Sequence, residues 1–208
     1  GVGLNHPFFS GVIEAFKRQS DKYGYSLLFG SKNDRLKNDT FLEYFKYRCV
    51  DGIAIICTDP NDKETLELIE SDFPIVVIDM FNKNTSTVTS DNVQGCSLAL
   101  NYLYKLGHRK IAHIQGVAQA DNWPSSIRKK TYIEVMKKLN LDIPEGYIVD
   151  GVNFDVSGGY DAMKELLSLK DRPTAVFASG DKLAIGAIDA IKDAGLRVPE
   201  DKIGRAHV

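Results

Sequence analysis

Lys110-Ile-Ala-His-Ile-Gln115 is a short apolar run with a helix-length segment on either side, Val93 to Leu106 before it and Arg128 to Leu139 after it. A run that is apolar at successive rather than alternate positions reads as a strand buried on both faces. The same pattern recurs at Tyr25-Ser-Leu-Leu-Phe-Gly30, Gly52-Ile-Ala-Ile-Ile-Cys57, Pro74-Ile-Val-Val-Ile-Asp79 and Thr174-Ala-Val-Phe-Ala-Ser179. Between these runs, Gly11 to Tyr23, Phe41 to Tyr47, Ser157 to Leu167 and Leu183 to Ala194 carry apolar residues three and four apart, the period of a helix with one buried face. Alternation of buried strand and amphipathic helix predicts an α/β chain built on doubly wound parallel sheets. Asp91 or Asn92 is placed to cap the helix that follows, and Gly107 and Gly195 fall just past helix ends, where a left-handed residue is favoured.

The chain has 208 residues, 43% of them hydrophobic, enough for a sizeable core in one large or two small α/β domains. Its 26 basic and 28 acidic side chains leave a formal charge of −2, so no global positive field exists to hold DNA or an anionic membrane. No stretch approaches about 18 consecutive apolar residues, and no basic segment followed by a long apolar run opens the sequence. Cys49, Cys57 and Cys96 are widely spaced and form no Cys-x-x-Cys pair; they read as small core residues in a reducing compartment.

Catalytic chemistry finds little support. Ser126-Ile-Arg-Lys129 and Ser90-Asp-Asn92 match two elements of the serine β-lactamase set, but in reversed order, and Lys130-Thr-Tyr132 lies in a helical pattern rather than on a strand. Gly158-Gly159 stands at a helix start without the rest of a phosphate-cradling loop. His6, His108, His113 and His207 lack metal-ligand spacing, and His108 suits packing or capping at a helix-to-strand turn. The expectation is a binding protein rather than an enzyme, with no cofactor and no metal.

Open parallel sheets bind ligands outside the carboxyl ends of their strands. The residues there are Asn5 to Phe9, Asp79-Met80, Asn122 to Arg128, Phe154-Asp155 and Gly180-Asp181. Asp79 closes an apolar strand, where a carboxylate can accept two hydroxyl donors of a polyol; the alternative is a loop or cap aspartate. Arg128 lies near the start of a helix after Asn122-Trp-Pro124, within reach of a ligand oxygen or simply on the surface. Lys129, Lys130, Lys137 and Lys138 read as a solvated face. Phe8, Phe9, Trp123 and Phe154 all fall at predicted strand-to-helix loops, and their flat faces suit sugars and purines, although any single one also fits a core.

Asn5-His-Pro-Phe-Phe-Ser10 resembles the opening of the lactose-repressor/galactose-repressor (LacI/GalR) family and of the related periplasmic sugar-binding proteins. Further similar stretches follow in family order: Val50-Asp-Gly-Ile53, Pro74 to Asp79, Thr89-Ser-Asp-Asn92, Leu106-Gly-His-Arg-Lys-Ile-Ala112, Arg172-Pro-Thr-Ala175, Asp181-Lys-Leu-Ala-Ile-Gly186 and Gly195-Leu-Arg-Val-Pro-Glu-Asp201. The Leu-Gly-His-Arg turn and the Arg-Val-Pro-Glu-Asp close look like the repressors, which implies the effector-binding core of a cytoplasmic transcriptional regulator of carbohydrate metabolism; the alternative is a soluble sugar-binding protein of a transport system.

The resemblance implies a periplasmic-binding-protein-like fold of two Rossmann-like lobes, residues 1–88 and 89–202, joined by a crossover near Thr85 to Thr89, with a ligand cleft between them. It implies ligand contacts from His6, Phe8, Phe9, Asp79, Asn122, Trp123, Arg128, Phe154 and Asp181, a saccharide effector, and a homodimer that meets operator DNA through a helix-turn-helix headpiece preceding residue 1. Many sugar-sensing members have Asn where this chain has Gly180 and Arg where it has Met80, and both changes remove polar contacts to a simple pentose or hexose. A further strand is expected after Asp201, so the core reads as truncated at its carboxyl end, with residues 203–208 as a non-native tail.

Overall fold

The computed structural model describes residues 7–30, 40–56, 62–79, 82–116, 123–152, 154–199 and 203–204. The chain forms two compact units, Gly1–Thr89 and Ser90–Val208.

The first unit runs α1 (Pro7–Lys22), α2 (Phe41–Tyr47), β1 (Ile53–Ile56), α3 (Lys63–Ile69), β2 (Ile75–Ile78) and β3 (Ser86–Val88). Thr40 and Glu43 form a reciprocal capping box at α2, and the Asp62 side chain accepts the Thr65 N–H to start α3. The three strands are parallel in the order β1-β2-β3, with Ile53 opposite Ile75 and Val76 opposite Ser86. Ile69 and Val77 form a small core with Ile55 and Ile75 against it.

Three expectations are corrected here. Tyr25 to Gly30 is irregular and mostly exposed rather than a strand, and no strand among the described residues pairs with it. An apolar run supplies faces to bury but not the neighbour whose backbone completes a ladder. Phe8 and Phe9 lie inside α1, not in a loop before it, because Pro7 already opens the helix at the position where its missing N–H costs nothing. Cys49 is exposed rather than core, in the turn after α2, while Cys96 is buried and Cys57 lies outside the described residues.

The second unit alternates α4 (Asn92–Lys105), β4 (Ile111–Gln115), α5 (Pro124–Lys138), β5 (Ile148–Asp150), α6 (Val156–Ser168), β6 (Ala175–Ala178), α7 (Asp181–Asp193) and β7 (Ile203–Gly204). Its strands are parallel in the order β5-β4-β6-β7. Ala112, Ile114, Val176 and Ala178 face one side, in a core with Met163, Leu166, Leu183 and Ile191 of α6 and α7. Ile111, Ala175 and Phe177 face the other, with Cys96, Leu100 and Leu103 of α4 and Tyr132 and Met136 of α5. The sheet is therefore doubly wound, and the chain reverses direction at β4. Residues 203–204, expected to belong to a tail, pair with β6, with Ile203 opposite Ala175. Gly107 and Gly195 do close their helices with φ of 94° and 73°.

Helices α6 and α7 touch at backbone level. A Cβ on Gly159 would lie 2.1 Å from the Leu183 carbonyl oxygen, and one on Gly186 1.9 Å from that of Val156. Neither neighbour is a flexible side-chain end, so the helices would have to part. Gly186→Ala is expected to destabilise the protein by about 1–3 kcal/mol. Gly11→Ala in α1, with no atom within 4 Å of the new methyl, is expected to stabilise by up to about 1 kcal/mol. Urea unfolding of the two variants checks the pair, and equal midpoints would contradict the close packing of α6 on α7.

Candidate ligand-binding site

Reversal at β4 marks the carboxyl ends of β4 and β6 as the place where open parallel sheets take ligands. Its rim is built by the residues that follow each strand and open the next helix. Trp123 precedes α5, whose first residue is Pro124 and whose first turn buries Ser125 and Ser126. One turn on, the half-buried Arg128 donates from Nε to Asn92 Oδ1 at 2.8 Å and from Nη1 to the Ser179 carbonyl. Asn92 is buried at the start of α4, which Asp91 caps by accepting the Gln94 N–H at 2.8 Å. One guanidinium thus fastens the starts of α4 and α5 to the end of β6, as the planar fork of arginine suits.

Phe154 is left-handed, with φ of 53°, a strained conformation for an aromatic residue and of the kind that clusters at binding sites. Its N–H donates to the Gly151 carbonyl at 2.8 Å. The next residue, Asp155, caps α6 by accepting the Gly158 N–H at 2.8 Å, and this bond holds its carboxyl below the ordinary range. The Phe154 ring lies across Gly116 and Gly180. A Cβ on Gly116 would fall 2.3 Å from two ring carbons and 2.7 Å from Ser125 Oγ, and one on Gly180 2.7 Å from the ring.

Beneath the rim, His113 is fully buried and stacks between Tyr132 and Phe177 with ring centroids 5.0 and 5.1 Å away. Its Nδ1 lies 2.9 Å from the Phe177 carbonyl, an acceptor only, so Nδ1 carries the proton and Nε2 accepts from the Ser179 hydroxyl at 3.5 Å. Burial pushes its pKa down to about 4. Gln115 donates from Nε2 to Asp150, while its buried Oε1 has no hydrogen-bond partner among the described residues.

Of the residues singled out by sequence, Trp123, Arg128, Phe154 and Asp181 belong to this unit and follow the ends of its strands. Asp181 is the exposed first residue of α7, next to the glycine under the Phe154 ring. Phe8, Phe9 and Asp79 belong to the first unit. Phe9 is buried edge-to-face against the exposed Phe8 at 5.1 Å. Asp79 closes β2 with φ of 59° and donates its N–H to Val88 at 2.9 Å. His6 and Asn122 lie outside the described residues. Lys130, Lys137 and Lys138 are exposed and Lys129 is half-buried. His108 contacts Thr174 Oγ1 at 3.0 Å across the turn into β4. Sequence reasoning passed over Asn92 as a partner of Arg128, His113 as its indirect support, and Gly116; only the glycine directly after an apolar run carried a local signal, of close backbone approach.

Residues 100–202 match the model of the periplasmic binding protein-like domain. The ribose operon repressor of Escherichia coli (strain K12) is 34% identical over 201 residues, covering 94% of this chain and 60% of that protein. The HTH-type transcriptional repressor PurR of Pectobacterium atrosepticum is 35% identical over 201 residues, covering 94% of this chain and 58% of that protein. The crystal structure of a LacI-family regulatory protein from Chloroflexus aggregans superposes with a TM-score of 0.79 at 28% identity, covering 91% of this chain and 68% of that one. These likenesses support a LacI/GalR-type effector-binding core. It spans about three fifths of the length of the curated relatives it matches. Those two relatives are named as repressors, not as enzymes.

The buried histidine is expected to give the chain a specific acid response. His113 has an ordinary pKa of 6.5 and one of about 4 in the folded chain, so between those values the unfolded chain binds the proton more readily. Its contribution to stability is complete above pH 6.5 and is lost as pH falls toward 4, about 3 kcal/mol in all at roughly 1.4 kcal/mol per pH unit. His113→Phe, which keeps the stacked ring, should show a correspondingly shallower fall in stability between pH 7 and pH 4.5. Identical pH slopes in urea titrations of the two proteins would contradict a neutral buried His113.

Proposed function

We propose that this chain is the effector-sensing part of a cytoplasmic transcriptional regulator, and that it binds a neutral polar molecule of the saccharide class at the carboxyl edge of its second sheet. The observation that carries the reading is the joint placement of Arg128 and Phe154 at the point where the sheet reverses, one offering a charged hydrogen-bond donor and the other a flat apolar face. A relative named as a ribose operon repressor supports the class of effector. Asp79, at the carboxyl end of β2, is a further candidate acceptor, carried by the first unit. Differential affinity of the effector for two states of the sensor would set the state of a DNA-binding part outside these residues. No helix among the described residues is long and apolar enough to cross a membrane.

A palindromic operator calls for two copies related by a two-fold axis, and we propose a homodimer. Val156 and Ile185 support it, being exposed and apolar beside the seam where Gly186 meets the Val156 carbonyl. Ile185→Glu is expected to shift sedimentation from dimer toward monomer, and an unchanged sedimentation coefficient would remove this surface from the interface.

Thermal-shift screening of neutral sugars, nucleosides and polyols, beginning with D-ribose, is expected to give at least one stabilising compound, worth about 2.7 kcal/mol at a hundredfold excess over Kd. Arg128→Ala should weaken that compound roughly ten- to a hundredfold, the loss of a charged donor of about 1.5–3 kcal/mol, whereas Lys137→Ala should leave it nearly intact. Because Arg128 also satisfies the buried Asn92, titration calorimetry should run below the melting temperature of the variant. Equal, small effects of both substitutions, or stabilisation by phosphorylated nucleotides alone, would overturn the reading.

A further inference from the structure

We propose that Gly116 and Gly180 are positioning residues that seat the Phe154 ring directly on the ends of β4 and β6, and so set the depth and flatness of the floor on which a cyclic ligand rests. The inference rests on the reading of this edge as the effector site. The two glycines belong to neighbouring strands in the doubly wound sheet, Gly116 just after β4 and Gly180 two residues after β6. Each lacks the one atom that would collide with the ring. At Gly116 the collision would be with Cδ2 and Cε2 at 2.3 Å, and at Gly180 with Cζ and Cε1 at 2.7 and 2.8 Å. The ring therefore bridges both strand ends, touching one glycine along one edge and the other at its tip.

Conformational freedom is not what these glycines supply. Gly180 has φ of −172°, extended backbone that any residue adopts. What they supply is space, and the space is filled by an aromatic ring whose own backbone is held left-handed at φ 53°. The ring is half-buried, so it packs on the glycines while part of it remains in solvent. A side chain at 180 and a seated ring exclude each other. With glycine there, a ligand meets an aromatic face rather than a polar side chain reaching up from the end of β6. Aromatic faces hold the C–H face of a ring far better than a flexible open chain, so the glycine pair favours cyclic over acyclic polyols.

The test has a ligand-free arm and a ligand arm. The three atoms nearest a Cβ on Gly180 all belong to the Phe154 ring, so the ring rather than the backbone should give way and the variant should fold, checked by circular dichroism. In the ligand-free protein, the ring current of Phe154 should shift the Gly116 proton resonances. Phe154→Ala should abolish that shift, Phe154→Tyr should retain it, and Gly180→Ala should move Gly116 toward the Phe154→Ala value. Gly180→Ala should cause no further change in a Phe154→Ala background. A Gly116 resonance unmoved by Gly180→Ala would overturn the proposal without any ligand. In the second arm, the preference for D-ribose over ribitol should fall roughly three- to tenfold in Gly180→Ala, the worth of a good aromatic contact. An unchanged ratio would show that the seating does not govern selectivity. If neither compound nor the wider panel binds, the assignment of the edge as an effector site fails, while the ring-current arm still decides the positioning of Phe154.

Discussion

All five residues of β4 are buried, and a strand of that kind has to be covered on both faces. Ala112 and Ile114 need one layer of helices, Ile111 and His113 another, and one chain provides both layers only by reversing direction within the sheet. The strand order β5-β4-β6-β7 is that reversal. The proposed site in the second unit depends on it, because the reversal brings together the residues directly after β4 and β6.

The rim places polar groups at the edge of an apolar sheet, where leaving them unpaired costs about 1–3 kcal/mol each. Arg128 resolves part of this by binding a side chain from α4 and the carbonyl of Ser179 just after β6, so one guanidinium fastens three elements. His113 meets the same problem one layer down by staying neutral, giving its proton to the Phe177 carbonyl and accepting from Ser179, the residue whose carbonyl Arg128 holds. The Oε1 of Gln115 is the one buried polar side-chain atom without a partner among the described residues.

The first unit meets the same design with less material. Among the described residues, its one buried cluster is Ile69 and Val77, with Ile55 and Ile75 packed against it, and its sheet has three strands. Tyr25 to Gly30 has the composition of a strand and is not one, which leaves Tyr25 and Phe29 exposed. Asp79 nevertheless ends β2 in a left-handed turn, the tight exit that places a carboxylate beyond a strand end.

The sequence by itself determined the α/β class, four of the five expected strands to within a residue or two, the cap of α4 at Asp91 or Asn92, the closing glycines Gly107 and Gly195, and the order of motifs shared with the family. These depend on neighbours within a few positions, where apolar period, capping side chains and glycine act directly on the local backbone. It also singled out Arg128 and Phe154, at the openings of the helices expected over 128–139 and 157–167. Tertiary structure alone decided which runs find a partner: β3, β5 and β7 are two or three residues long and exist by pairing, while Tyr25 to Gly30 lacks a paired neighbour among the described residues. It alone decided that Arg128 reaches Asn92, 36 residues away, and Ser179, 51 residues away, and that one aromatic ring lies across two glycines 64 positions apart in the sequence numbering. Contacts of that separation are set by strand order and register, which no local pattern of residues encodes.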